Sequence, residues 1–165
     1  MAKYISDAIS NSRPPLTGDG AGEVLNVKHS VAVDTALAAN DLLLFCKLPA
    51  GHEPTAGNVF ATDLDTNGSP TVTITVGILN DAGTDLVSGT EFVVDSAVGK
   101  AGTLEAFGLK GGLNLTPLNA VSASDVGTNN AYVKGGDRII AGKITNAGST
   151  KAAGTVGISL GYKAS

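Results

Sequence analysis

Between Pro70 and Leu79 the chain reads Pro-Thr-Val-Thr-Ile-Thr-Val-Gly-Ile-Leu, with Val72, Ile74, Val76 and Ile78 at every second position and Thr71, Thr73 and Thr75 between them. A period of two puts the branched aliphatic side chains on one face and the hydroxyls on the other. This segment is predicted as a half-buried antiparallel strand, closed on one side and open on the other. The same alternation places Leu25, Val27, His29, Val31 and Val33 on one face, with Asn26, Lys28 and Ser30 opposite.

Asp41 to Leu48 is different, a continuous apolar run of strand length that should be buried on both faces before Pro49-Ala50-Gly51 ends it. Val59–Thr62 and Glu91–Val94 are short strand candidates. Asp137–Ile144 and Thr155–Tyr162 are the last two strands, and the turn residues Thr145 to Ser149 between them predict a hairpin. Ser96 to Phe107 is expected as a short helix or irregular loop, and Asn114 to Asn130 as loop with a short strand. Seven or eight short strands without helical crossovers point to an all-β antiparallel β-sandwich or jelly roll.

A chain of 165 residues suits one such domain, here expected over residues 23–165. Residues 1–22 differ: they are polar, contain the stiff Arg13-Pro14-Pro15 step, and end in Gly18-Asp19-Gly20-Ala21-Gly22. They are expected to form an extended N-terminal arm, either frayed or ordered against a neighbouring subunit. Tyr4, Ile5, Arg13, Pro14 and Pro15 are its candidate contact residues.

Charge and composition narrow the function. Eleven basic and fifteen acidic residues are scattered, giving a net charge of −4. Without a run of Lys or Arg the footprint of a nucleic-acid binder is missing. No apolar stretch is long enough to span a membrane as a helix, and Met1–Asp7 lacks the apolar region of a secretory signal. A single cysteine, Cys46, fits a reducing cytoplasm and, inside the most apolar run, a buried inert thiol.

Candidate chemistry is sparse. Asp63-Leu64-Asp65-Thr66-Asn67-Gly68 matches the opening of a calcium loop, with oxygen ligands at alternate positions. The bidentate Glu such a loop needs is replaced by Ile74, inside the best strand. The preferred expectation is therefore a hairpin whose Asn67-Gly68 adopts left-handed backbone angles, the alternative being a weak metal site of Asp63, Asp65 and Asn67 completed by other loops. His29 lies on an apolar strand face. His52, in the loop Gly51-His52-Glu53-Pro54, could meet Glu53, but has no nucleophile or metal partner in reach of the pattern. The glycine run at 18–22 lacks the strand, helix and Lys-Ser/Thr of a phosphate cradle. No catalytic residue, cofactor site or metal site is assigned, and the chain is expected not to be an enzyme.

Several segments resemble small structural proteins of tailed bacteriophages. They are Asp41 to His52, with its exit from a strand at Leu48-Pro49-Ala50-Gly51; the Asp-Leu-Asp turn within Thr62–Thr66; and the strand end Val76 to Asp81. The closing pattern of Gly136 to Ile140, Ala153 to Val156 and Tyr162 is also similar. The resemblance covers Val24 to the C-terminus. It implies a virion component, a capsid decoration (cement) protein with a jelly-roll domain and an oligomeric, often trimeric, state. Expected partners are further copies of the chain and the major capsid protein, on the capsid exterior after assembly in the host cytoplasm, with no nucleic acid or membrane. The alternative is a tail, head-fibre or adhesion module binding a host-surface ligand.

Overall fold

The computed structural model describes residues 1–11, 17, 23–49, 52–89, 91–107 and 137–164. These form β1 (Lys3–Ile5), α1 (Asp7–Ser10), β2 (Val24–Val33), β3 (Leu42–Leu48), β4 (His52–Ala61), β5 (Thr73–Ile78), β6 (Val93–Ser96), a 3-10 turn (Val98–Lys100), β7 (Leu104–Phe107), β8 (Arg138–Asn146) and β9 (Gly154–Ala164). One sheet has the order β1-β3-β8-β5-β6 and the other β2-β9-β4-β7. Their inner faces meet to make a β-sandwich, as the strand alternation predicts. Neighbouring strands are antiparallel except β1 and β3, which run parallel with Lys3 opposite Leu42 and Ile5 opposite Leu44.

The core is aliphatic, with few rings. Leu43, Phe45 and Leu48 of β3, Ile74, Val76 and Ile78 of β5, and Ile140 and Ile144 of β8 face Val59, Val156, Ile158, Leu160 and Tyr162 from the other sheet. The expected face of β5 is closed: Val72, Ile74, Val76 and Ile78 are all fully buried. β3 is buried on both faces, as its composition predicts. Leu42 and Leu44 lie outside the main core, on the outer side of their sheet with Ala141. Each fully buried aliphatic side chain contributes about 1.5–3 kcal/mol relative to exposure.

Four local expectations are corrected. β8 and β9 are not hairpin partners, because Ala147–Ala153 carries the chain from one sheet to the other, where β9 lies between β2 and β4. The connection from β4 to β5 is likewise a crossover between sheets, and neither Asn67 nor Gly68 has a positive φ. Ser96 to Phe107 ends β6, makes one 3-10 turn and becomes the edge strand β7 paired with β4. His52 opens β4 opposite Ala164, so it lies in a strand and not in a loop.

The N-terminal segment also differs from an arm along its whole length. Residues 1–11 are built into this chain's own sandwich: Leu42 N–H donates to the Ala2 carbonyl (3.0 Å), and Ser6 N–H donates to the Leu44 carbonyl (3.0 Å). The edge of β3 leaves backbone groups that need partners, and this segment supplies them. Arg13, Pro14 and Pro15 lie outside the described residues.

Candidate interaction site

β1 is held by side chains as well as by its backbone. Tyr4, half-buried against the core, donates its hydroxyl to Asp34 Oδ1 at 2.9 Å. Burial, the bond to Asp34, and the charges of Asp34 and Asp41 push its phenol up to about 12. Asp41 is 2% exposed and accepts the Ala2 and Ala38 backbone N–H groups, the latter at 2.9 Å, so it fastens β1 beside the start of β3. Ser6 closes the junction by donating its hydroxyl to the Phe45 carbonyl. Ile5 is 49% exposed. Of the five residues singled out in sequence, the structure thus places Tyr4 as an internal fastening and Ile5 at the surface.

The calcium-like segment turns out to be an anchor for backbone N–H groups. Asp63 Oδ1 accepts Asp65 N–H (3.1 Å), Asp65 Oδ1 accepts Asn67 N–H (3.3 Å), and Asn67 Oδ1 accepts Ser69 N–H (3.0 Å). These successive side-chain turns explain the abundance of Asp and Asn without any cation. Asp65, only 1% exposed, also accepts Thr71 N–H on Oδ2 (2.8 Å) and Thr150 N–H on Oδ1 (3.2 Å). The bond from Thr71, with further help from Thr150, Asn67 and Val72, outweighs burial and holds its carboxyl below the usual range. Gly148 has φ +72°, and a Cβ there would stand 2.3 Å from Asp65 Oδ2, so the close approach of the two loops requires glycine. Among the described residues no three His, Cys, Asp or Glu side chains are grouped to hold a metal ion.

The imidazoles lie on strands of the sandwich and the thiol lies in its core. His29 is half-buried on the inner side of β2. The His52 ring meets Tyr162 edge-on, centroids 5.8 Å apart, and its carbonyl accepts the Arg138 guanidinium. Cys46 is 2% exposed, and burial pushes its thiol up to about 12. The thiolate is the nucleophile, so this thiol is protected twice, by pKa and by access. A thiol reagent at mildly alkaline pH should leave it unmodified in the folded protein and react with one group per chain after denaturation. Rapid labelling of the native protein would contradict this enclosure.

The sandwich presents two unlike outer faces. On the sheet containing β5, Lys143 reaches Asp85 at 2.8 and 2.9 Å on its two oxygens. Burial opposes ionisation of Asp85, but Lys143 and the Leu86 N–H prevail and hold its carboxyl below the usual range. Beside this pair is a cleft of about 350 Å³ lined in part by Asp85, Glu91, Val94, Asp95, Lys143 and Thr145. Three carboxylates against one ammonium make it acidic. On the other sheet, the register places Ser30, Gly157, Phe60 and Leu104 in one row across the four strands, pointing away from the core. The Phe60 ring lies over Gly157, whose added Cβ would come within 2.3 Å of it, and the Lys28 ammonium sits 4.8 Å from the ring centroid. This face is basic and aromatic at its centre. Sequence reading singled out none of these surface groups, because outward positions of a strand look alike until the register is known.

No family model and no curated protein matches the chain. Solved structures do. A chain in the capsid asymmetric unit of cyanophage Pam1 is similar in fold, with a TM-score of 0.58 at 22% identity, over 93% of this chain and 96% of that one. A chain from the capsid of Ralstonia phage GP4 is similar with a TM-score of 0.73 at 26% identity, over 99% of this chain and 99% of that one.

Proposed function

We propose that this chain is a non-enzymatic structural part of a phage particle, and that it binds the assembled capsid from outside and stabilises it as a decoration protein. The observation that carries the reading is the end-to-end likeness to a chain of the Ralstonia phage GP4 capsid. Supporting it are a sandwich with an almost wholly aliphatic core and polar motifs whose oxygens are taken up by the chain's own backbone. The mechanism is additive. Each copy makes modest contacts with the shell and with its neighbours, and symmetry repeats them, so that avidity exceeds any single contact.

In this reading Ile5, exposed beside the β1–β3 edge, and the following Arg13, Pro14 and Pro15 reach a neighbouring subunit or the major capsid protein. Tyr4 holds the strand from which they extend. The copies associate as a closed oligomer, a trimer by preference.

The test is add-back. Heads of the encoding virus assembled without this chain should take up the purified protein to saturation, co-sediment with it, and rupture at a higher temperature than undecorated heads. Failure to co-sediment would overturn the reading. Retention by host cells in place of heads would favour the adhesion module.

A further inference from the structure

Two exposed apolar side chains point to how copies of this chain meet. Val94 of β6 and Leu104 of β7 are 64% and 63% exposed, while Val93 beside the first is half-buried and Phe107 of the second strand is buried. β6 and β7 are the edge strands of different sheets, yet they lie on the same flank of the sandwich. Ser96 Oγ donates to Glu105 Oε2 across it at 2.6 Å, and the Phe92 and Phe107 rings stack across it with centroids 5.7 Å apart. Val94 looks out beside the acidic cleft of one face. Leu104 looks out beside Phe60 and the Lys28 ammonium on the other.

Each patch therefore joins an exposed aliphatic group to a charge, and the charges are opposite. The first carries Val94 with Glu91 and Asp95, beside the Asp85–Lys143 pair, and keeps a net negative charge; the second carries Leu104 and Phe60 with Lys28. Pairing two copies of the first patch would set carboxylates against carboxylates, whereas pairing first with second satisfies both apolar and electrostatic terms. Such a contact is heterologous, and heterologous contacts make rings when the rotation closes. Because both patches border one flank, successive copies turn about an axis along that flank, as blades do about a hub, and do not stack face to back.

We infer that the β6/β7 flank is the surface through which copies of this chain associate, with the Val94 cleft of one copy receiving the Leu104–Phe60–Lys28 patch of the next. The inference rests on the reading of the chain as an assembling particle component, and it adds which surfaces meet and with what polarity.

The full chain is tested by light scattering and sedimentation across a concentration series. The wild-type protein should be a closed oligomer. Val94→Asp and Leu104→Asp, both at exposed positions, should keep the wild-type melting temperature and circular dichroism while weakening self-association about 100-fold. Mixing the two variants separates the arrangements. A heterologous contact leaves one intact patch on each variant, so the mixture should form a one-to-one dimer. An isologous contact through one patch leaves one of the two variants dimeric on its own, without mixing. Lys28→Glu should weaken association about tenfold, with the loss reduced at high salt. A monomeric wild-type chain, variants that still assemble, or a mixture that stays monomeric would each overturn the inference. Binding to undecorated heads is read separately: a monomer that co-sediments removes the copy-to-copy contact and leaves the capsid reading standing, and an oligomer that ignores heads does the reverse.

Discussion

Replacing Phe45 by alanine should cost about 3–5 kcal/mol, among the largest losses of any single substitution in this chain. Phe45 is fully buried and is among the largest enclosed side chains in a core that has few rings. Its ring packs over Gly142 of the adjacent strand β8, where an added Cβ would come within 3.1 Å of it. It also sits at the irregularity in β3 between Leu44 and Cys46, where the pairing with β8 shifts register. Truncation would leave a void bounded by backbone on one side and by aliphatic groups already in close contact on the other, so collapse around it is restricted. For a domain of this size the melting temperature should fall on the order of 10 °C. Denaturant unfolding with an unchanged slope would confirm a loss of native packing. A loss below about 1 kcal/mol would mean that the site is not enclosed as described.

The second large effect is expected at Asp65. Removing its carboxylate leaves the N–H groups of Asn67, Thr71 and Thr150 without their acceptor at a position 1% exposed. It also removes one of the links between the two inter-sheet crossovers, which keep the Thr66–Thr150 and Leu64–Ala152 backbone bonds. Asp65→Ala should lower the melting temperature by roughly 5–10 °C at neutral pH, through orphaned buried donors. Asp65→Asn should recover part of this, since one side-chain oxygen remains to accept. The pH dependence has a definite sign. The carboxyl is held below the usual range in the folded chain, while in the unfolded chain it titrates near its ordinary value of about 3.9. The native state thus binds the proton less readily, and the stabilisation is complete above that unfolded value. It is lost as the pH falls below about 4 and through the folded value. The melting gap between wild type and Asp65→Asn should therefore be widest near neutrality and narrow below about pH 4. A gap that stays constant down to strongly acid pH would show that the ionised carboxylate is not what anchors the loops.

What the sequence made legible follows from how far each signal reaches. Strand faces are local: alternation from Val72 to Ile78, and unbroken apolarity from Leu42 to Leu48, are consequences of burial at those residues. β3 is buried on both faces and the aliphatic face of β5 is closed, but the threonine face of β5 is not open as expected, since Thr75 and Gly77 are buried as well. Partner choice is not local. The turn residues Thr145 to Ser149 fit a tight hairpin equally well, but β9 pairs over its length with β2 and β4, and this outcompetes β8. Ala101 to Phe107 has helix-favouring residues, yet Leu104 to Phe107 takes its hydrogen bonds from β4, so tertiary pairing overrides propensity. The Asp63–Asn67 segment shows the same limit in chemistry. Alternating oxygen-bearing side chains suit a cation or a set of N–H donors alike, and the deciding donor, Thr150, lies 85 positions further along. β1 is three residues long and α1 four, too short for any periodicity to register. The opposed charge of the two outer faces was invisible for a related reason: Lys28, Phe60 and Leu104 come from three strands and become neighbours only through the sheet register.

The central claim is that this protein sits on the outside of a phage head, and the most direct measurement is its place in purified particles. Particles of the encoding virus, banded and washed, should contain the chain in a fixed ratio to the major shell protein. Gold-labelled antibody against the chain should decorate the heads of intact particles to the same extent as gently disrupted ones. Absence of the chain from purified particles, or labelling only after disruption, would contradict the account.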